Sequence, residues 1–389
     1  MPRDKTFVGG FLFLLIGLIA AQCQISPPTT PSSDKPSTPE PHYGLIYYST
    51  REISKDVSGI EFGGLYLVDL LTKEEKHLTK DSIISLSDGF SWSPVTRRLV
   101  YTERGDDIFN TEQLDLYSLD LGNNNRIQLT NNDINDSDPQ WSPNGKTIAF
   151  WSTRSDKWLY IMGSDGSNVR PLFKGDLEVD FSFLPFAWSP DSHNLAVSTV
   201  QSYTEPIDLD NLQYGFQIVE LDSGKIESPL PDTHVRVDFS WSPDSSKLVY
   251  LSDSVPNSPQ PLFTTMYILD VHTQKETLIS EFAAIGPPHW SPTENVIAFT
   301  ASTMEELYST GQFNVYLINS DGTNLRRITH GESYNVASWS PDSRNLALEF
   351  VGEQLTGNEI YVLDINSGEL EQITDNNVFD AFPIWVELN

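Results

Sequence analysis

The chain has 389 residues, 20% of them charged, with 54 acidic against 24 basic side chains and a formal net charge of −30. That excess of acid excludes nucleic-acid backbone recognition and docking on anionic lipid through a basic patch, both of which need clustered Lys and Arg. Nine tryptophans, 15 tyrosines and 20 phenylalanines are enough for a real core, and a single cysteine excludes an internal disulfide or a cysteine-built metal site.

Arg3 and Lys5 precede an uncharged apolar run from Phe7 to Ala21. The run is short for a membrane span and suits an export signal over residues 1–23. Cys23 closes it and is the lipidation candidate, as the acylated first residue of a bacterial lipoprotein. Gln22 stands where such signals usually carry a small residue, so cleavage after Ala21 is the alternative. Loss of residues 1–23 leaves 22 basic and 53 acidic residues, a net charge of −31. Residues 24–43 hold six prolines and almost nothing apolar. They read as an extended tether of about 60 Å at most.

From residue 44 to 389 the chain repeats. Trp92, Trp141, Trp188, Trp241, Trp290 and Trp339 each open a Trp-Ser-Pro triplet, at spacings of 49, 47, 53, 49 and 49, and Trp385 follows after 46 without Ser-Pro. After each triplet, Asp or Asn with Gly or Ser predicts a tight turn, as in SPNGK (142–146) and SPDSH (189–193). A short apolar strand follows, then a variable loop, a strand ending in Asp, a turn and a fourth strand such as RIQLT (126–130). Helix signals are scarce, with one turn near Met304–Glu306. Residues 44–79 supply second, third and fourth strands without a Trp strand, and residues 382–389 supply a Trp strand alone. Paired, they make a composite blade that removes two exposed edges. The expected fold is therefore all-β, a seven-bladed β-propeller of four-stranded blades closed by strands from both termini.

The combination W-S-P-D/N-G/S, I-A-F, I/L-Y-x-x-D and D-G-x-N-x-R-x-I/L-T resembles the TolB-like β-propeller repeat, a WD-repeat-like family. The clearest copies are SDGSNVRPL (164–172) and SDGTNLRRIT (320–329). Related blades occur in periplasmic TolB, in the propellers of prolyl-oligopeptidase-type and tricorn-like peptidases and in some polysaccharide lyases. The resemblance thus implies the fold and leaves the activity open. TolB itself carries an α/β domain before a six-bladed ring, whereas a proline-rich segment precedes the ring here.

One tryptophan per innermost strand, beside a tight turn, is the position that packs between blades, so the seven in-phase tryptophans read as structural. The acids ending third strands (Asp120, Asp165, Asp222, Asp270, Asp321, Asp364) read as turn caps. No G-x-S-x-G or H-E-x-x-H motif occurs. His234, His289 and His330 lie at innermost strands of successive blades and would suit a lyase-like metal site. Asp133, Asp136 and Asp138 in NNDINDSD, and Asp208 and Asp210 in PIDLDNLQ, are oxygen-rich enough for calcium but lack the Asp-x-Asp-x-Asp-Gly loop. The expectation is no cofactor, with calcium as the alternative.

Loops between second and third strands are long (50–64, 103–115, 200–215, 253–265, 301–313) and share one face with the connections between blades. Long loops on a rigid ring are where binding sites usually reside. The candidates on that face are Asp106, Asp107, Phe109, Tyr203, Glu205, Asp208, Asp210, Tyr214, Glu305, Glu306 and Tyr308. The expectation is an exported, monomeric, non-catalytic binding or scaffold propeller in the periplasm or at the cell surface. Its partner would be a protein or glycan of the cell envelope, with membrane contact only through an N-terminal anchor. The alternatives are a metal-assisted polysaccharide lyase or other hydrolytic enzyme with its site in the central funnel, and an accessory of a TolB-like periplasmic complex.

Overall fold

A computed structural model describes residues 41–389 apart from 56–60, 80–83, 85–88, 105–113, 155–157, 174–184, 202–212, 231–235, 254–262, 283, 351–356, 377 and 389. Met1–Glu40 and Pro41–Asn389 are separate units. The export signal, Cys23 and most of the tether lie outside the described residues.

Alternation of apolar and polar residues between turns builds strands of period two. The first three are β1 (Tyr43–Lys55), β2 (Glu61–Asp69) and β3 (Glu75–His77). Blade one follows as β4 (Phe90–Ser93), β5 (Arg98–Arg104), β6 (Leu114–Asp120) and β7 (Arg126–Gln128). Blade two is β8 (Asp136–Trp141), β9 (Thr147–Ser152), β10 (Trp158–Gly163) and β11 (Arg170–Phe173). Blade three is β12 (Phe186–Trp188), β13 (Asn194–Gln201), β14 (Gln213–Glu220) and β15 (Ile226–Glu227). Blade four is β16 (Arg236–Trp241), β17 (Lys247–Asp253), β18 (Phe263–Asp270) and β19 (Lys275–Glu281).

In blade five the innermost strand is split into β20 (Ala284–Ile285) and β21 (His289–Trp290) by Gly286-Pro287-Pro288, because proline has no N–H for the ladder. Both halves pair with β22 (Val296–Ser302). Helix α1 (Met304–Ser309) then precedes β23 (Asn314–Asn319) and β24 (Arg326–Arg327). Blade six is β25 (Tyr334–Trp339), β26 (Asn345–Phe350), β27 (Glu359–Asp364) and β28 (Leu370–Gln372). The last strand is β29 (Asp380–Glu387).

β29 does not add to blade six. It pairs antiparallel with β1, with Leu45 opposite Trp385, in the sheet order β29-β1-β2-β3. Seven antiparallel sheets result, closed by strands from both ends of the described chain. The ring begins slightly earlier than expected: Tyr43 is already in β1, His42 bonds Asp69 (2.7 Å) and its carbonyl accepts Leu388 N–H (2.8 Å).

The core is not one mass but seven clusters, each between adjacent blades. Tyr48 and Leu65 of the closing blade pack with Leu99 and Tyr101 of blade one, and Ala347 and Ile360 of blade six with Leu45 and Trp385. Trp141, Trp188, Trp241, Trp290, Trp339 and Trp385 are each buried in the junction with the preceding blade; Trp92 packs, partly buried, at the junction that closes the ring. A blade has an apolar face to bury on both sides, so only a closed ring leaves none uncovered.

Candidate functional site

Strand direction divides the ring into two faces. One carries the turns between first and second and between third and fourth strands; the other carries the loops between second and third strands and the links between blades.

On the turn face, side chains bond the turns within and between blades. Ser189 Oγ donates to Asp191 Oδ1 (2.6 Å) and accepts Asn194 N–H (2.9 Å). Asp191 N–H then donates to Ser245 Oγ in the next blade (3.1 Å). Asn144 to Ser192 (3.0 Å) and Thr293 to Ser343 (3.2 Å) repeat the bond. The hydroxyls of Ser242 and Ser246 hold the Asp244 carboxyl down at about 2. Among the third-strand acids, Asp270 accepts Thr273 N–H (2.8 Å) and Asp364 accepts Ser367 N–H (2.8 Å), bonds that lower both carboxyls. Asp165, Asp222 and Asp321 correct the expectation of strand-ending acids: β10, β14 and β23 end two residues earlier, at Gly163, Glu220 and Asn319. Asp165 and Asp321 still cap their turns, accepting Ser167 N–H (3.0 Å) and Thr323 N–H (2.9 Å), whereas after β14 it is Glu220 that accepts Ser223 Oγ (2.5 Å).

Tryptophan indoles form a second belt. Trp188 donates to Gln140 O (3.3 Å), Trp241 to Ala187 O (3.1 Å), Trp339 to His289 O (2.8 Å) and Trp385 to Ser338 O (3.3 Å). Each acceptor immediately precedes the tryptophan of the previous blade. Side chains at that preceding position also bridge forward. Gln140 reaches Phe186 O (3.3 Å), and Ser91 and Ser240 accept the backbone N–H of Trp141 (3.2 Å) and Trp290 (2.9 Å). His289 occupies the same position and hydrogen-bonds the Val336 backbone, and burial pushes its imidazole down to about 4.

Three residues before the tryptophan, several innermost strands bulge. Gly89, Asp138, Asp238 and Phe382 sit there with φ of 69°, 51°, 58° and 56°. A Cβ on Gly89 would stand 2.8 Å from Asp138 Oδ1, so both its φ and the close approach require glycine. No described residue pairs with the Asp238 carboxyl, which burial raises to about 6. Phe382 is 45% exposed, and its N–H donates to Glu349 (2.6 Å). These positions were missed from sequence because Gly, Asp and Phe share no side-chain type; only their fixed offset from tryptophan could have exposed them.

The expected binding residues fare unevenly. Asp106, Asp107, Phe109, Tyr203, Glu205, Asp208 and Asp210 lie outside the described residues. Tyr214 is no loop residue: it stands in β14 opposite Val200. Segment 50–64 is likewise largely strand, with Lys55 of β1 opposite Glu61 of β2. Glu306 is committed to structure. It forms a capping box with Thr303, whose backbone N–H lowers the carboxyl, and it pairs with Arg327. Glu305 is exposed, and Met304 (58%) and Tyr308 (80%), one helical turn apart, present apolar surface on α1.

Of the metal candidates, Asp136 is buried and bound by Ser152 (2.6 Å) and Arg154 (2.7 Å), so it belongs to an ion pair rather than an oxygen-rich loop. Asp138 is in the bulge, Asp133 and His330 are exposed, and His234 lies outside the described residues. Among the described residues no three His, Cys, Asp or Glu side chains converge, and no helix is long and apolar enough to cross a membrane.

A cavity of about 560 Å³ opens inside the ring where the first strands meet the turn face, walled by Phe90, Trp92, Trp141, Trp188 and Trp385 with Gln140 and Glu387.

The family model described as the TolB beta propeller domain matches residues 210–387. Dipeptidyl-peptidase 5 of Porphyromonas gingivalis is 24% identical over 349 residues, covering 78% of this chain and 50% of that protein. TolB from Acinetobacter baumannii superposes with a TM-score of 0.51 at 13% identity, over 86% of this chain and 81% of that one. A puromycin hydrolase S511A mutant complexed with PGG gives 0.62 at 13%, over 86% and 52%. These structural likenesses establish the fold. The chain spans less than two thirds of the length of the curated relatives it matches.

Proposed function

We propose that this protein is an exported, non-catalytic binding propeller that engages a protein or glycan partner of the cell envelope through its loop face. The observation that carries the reading is α1, which projects from the loop face with no buried residue and with Met304 and Tyr308 in solvent. Rigid rings with projecting insertions on one face are suited to recognition. A charge of −30 favours a basic partner, with association slowed by salt. The same reading has residues 1–23 removed, Cys23 acylated and the tether holding the ring off the membrane; Cys23→Ser should then move the protein from the detergent phase to the soluble exported fraction.

The test is capture of partners from envelope extract and on a glycan array. Replacing Asp208 and Asp210, or Asp106 and Asp107, by Asn, or Met304 and Tyr308 by Ser, should weaken capture with the melting temperature unchanged. Capture that survives all three pairs, yet is abolished by folded turn-face variants, would reverse the assignment of the faces.

The second reading, an enzyme with its site in the funnel, draws on the unpartnered, burial-raised Asp238. It requires turnover of an acidic polysaccharide or a peptide that Asp238→Asn abolishes.

A further inference from the structure

The tight turns after the innermost tryptophans share one bonding scheme. Asp191, Asp244 and Asp342 each accept, through Oδ1, the hydroxyl of the serine two residues earlier (2.6, 2.6 and 2.7 Å). The same oxygens accept the backbone N–H two residues later (3.0, 3.0 and 3.2 Å). In blade two the acceptor is an amide: Asn144 Oδ1 takes Ser142 Oγ and Lys146 N–H, both at 2.9 Å. Asn144 is exposed and its Nδ2 donates to no described residue, so a carboxylate there would lose no bond. Asn144-Gly145 is also the chain's only Asn-Gly dipeptide; blades three, four and six carry Ser192, Ser245 and Ser343 after the acid. Blade one opposes a serine at Gly145, because a Cβ there would stand 2.9 Å from Thr96 Cγ2 and 3.0 Å from Ser93 Oγ. Blade two alone therefore joins a thermolabile amide to a backbone nitrogen that no side chain shields.

We propose that Asn144 is a self-modification site, converted with water to the aspartate that other blades carry in this turn. The Gly145 nitrogen, after giving its proton to solvent base, attacks Asn144 Cγ. The bond from Cγ to Nδ2 breaks, Nδ2 leaves as ammonia, and a succinimide closes. Water then adds to one imide carbonyl. Cleavage at Cγ yields aspartate, and cleavage at the main-chain carbonyl yields isoaspartate. One water is consumed, one ammonia is released and nothing is oxidised or reduced. The turn gates the first step: Gly145 N–H is donated to Ser142 O (2.8 Å), so the nitrogen is freed only when the turn opens. The turn also separates the products. Aspartate regains both Oδ1 bonds, whereas isoaspartate adds a main-chain carbon before residue 145 and cannot close the same turn. The site lies on the opposite face from α1, so it is independent of the partner-binding reading.

The test incubates the full-length protein in mildly alkaline buffer, native and in guanidinium chloride, and follows every asparagine by peptide mapping with mass spectrometry. In the denaturant, conversion at Asn144 should lead that at all other asparagines. In the native ring it should proceed about tenfold or more slowly, because the bond to Ser142 must first break. Asn144→Gln, which would need a larger imide ring, should keep its amide in both states. Asn144→Asp, the product, should raise the urea midpoint near neutrality, since a carboxylate accepts the two bonds more strongly than an amide. That gain is present above the ordinary carboxylate value of 3.8 and should be lost as pH falls toward about 2, where the equivalent Asp244 titrates. An intact Asn144 in the denatured chain, equal rates in the two states, or a lower midpoint for Asn144→Asp near neutrality overturns the proposal.

Discussion

Two tryptophans in equivalent positions should respond differently to the same substitution. Trp339 and Trp290 are 8% and 6% exposed, and each fills the junction with its preceding blade. Replacement by Phe removes similar apolar area from both and leaves a similar gap, a shared loss of about 1–2 kcal/mol. The indole N–H separates them. In Trp339 it donates to His289 O at 2.8 Å, so Trp339→Phe strands a buried carbonyl, a further cost of about 1–3 kcal/mol. In Trp290 the same N–H is buried without a partner among the described residues, so Trp290→Phe removes an unsatisfied donor and recovers part of its loss. The junctions also differ at the backbone, where Ser240 Oγ accepts the Trp290 N–H at 2.9 Å. Urea unfolding followed by far-ultraviolet circular dichroism should place Trp339→Phe below Trp290→Phe by about 2 kcal/mol or more. Equal losses, or a larger loss at Trp290, would refute the claim that the tryptophan-to-carbonyl belt stabilises the ring beyond packing.

Deleting residues 379–389 removes β29, strips the closing blade of its innermost strand and exposes Leu45, Tyr47 and Ile46; aggregation or loss of cooperative unfolding is expected, and a melting curve like that of the intact chain would sink the closure argument. Asp238 supplies a pH signature. Its folded value of about 6 lies above its ordinary 3.8, so its contribution to stability is full below the ordinary value and is lost as pH rises through about 6. Asp238→Asn, tolerated at φ 58°, should therefore gain up to about 3 kcal/mol over the parent near pH 8 and nothing near pH 4, read from paired urea midpoints; a pH-independent difference would place that carboxyl in water.

Periodic tryptophans, tight-turn chemistry and complementary half-blades at the two ends were enough, without coordinates, to imply seven blades and their closure. These features are local, and a repeat multiplies a local signal until it specifies the global count. Strand positions and turn capping were legible for the same reason, and the misplaced Asp222 shows the limit: a side chain of the right type two residues out of phase looks the same in one dimension. The cavity mouth and the inner bulges were not legible. Glu387 lines the cavity beside prolines of other blades only because β29 pairs with β1. The backbone of Asp238 and Phe382 turns left-handed where the innermost strand shifts register against its neighbour. Glu306 looked like a free acid on a binding loop until the fold brought Arg327 beside it. Sequence determined the repeat because every blade solves the same local packing problem. Tertiary structure alone decided the site, because its residues come from blades that meet only when the ring is closed.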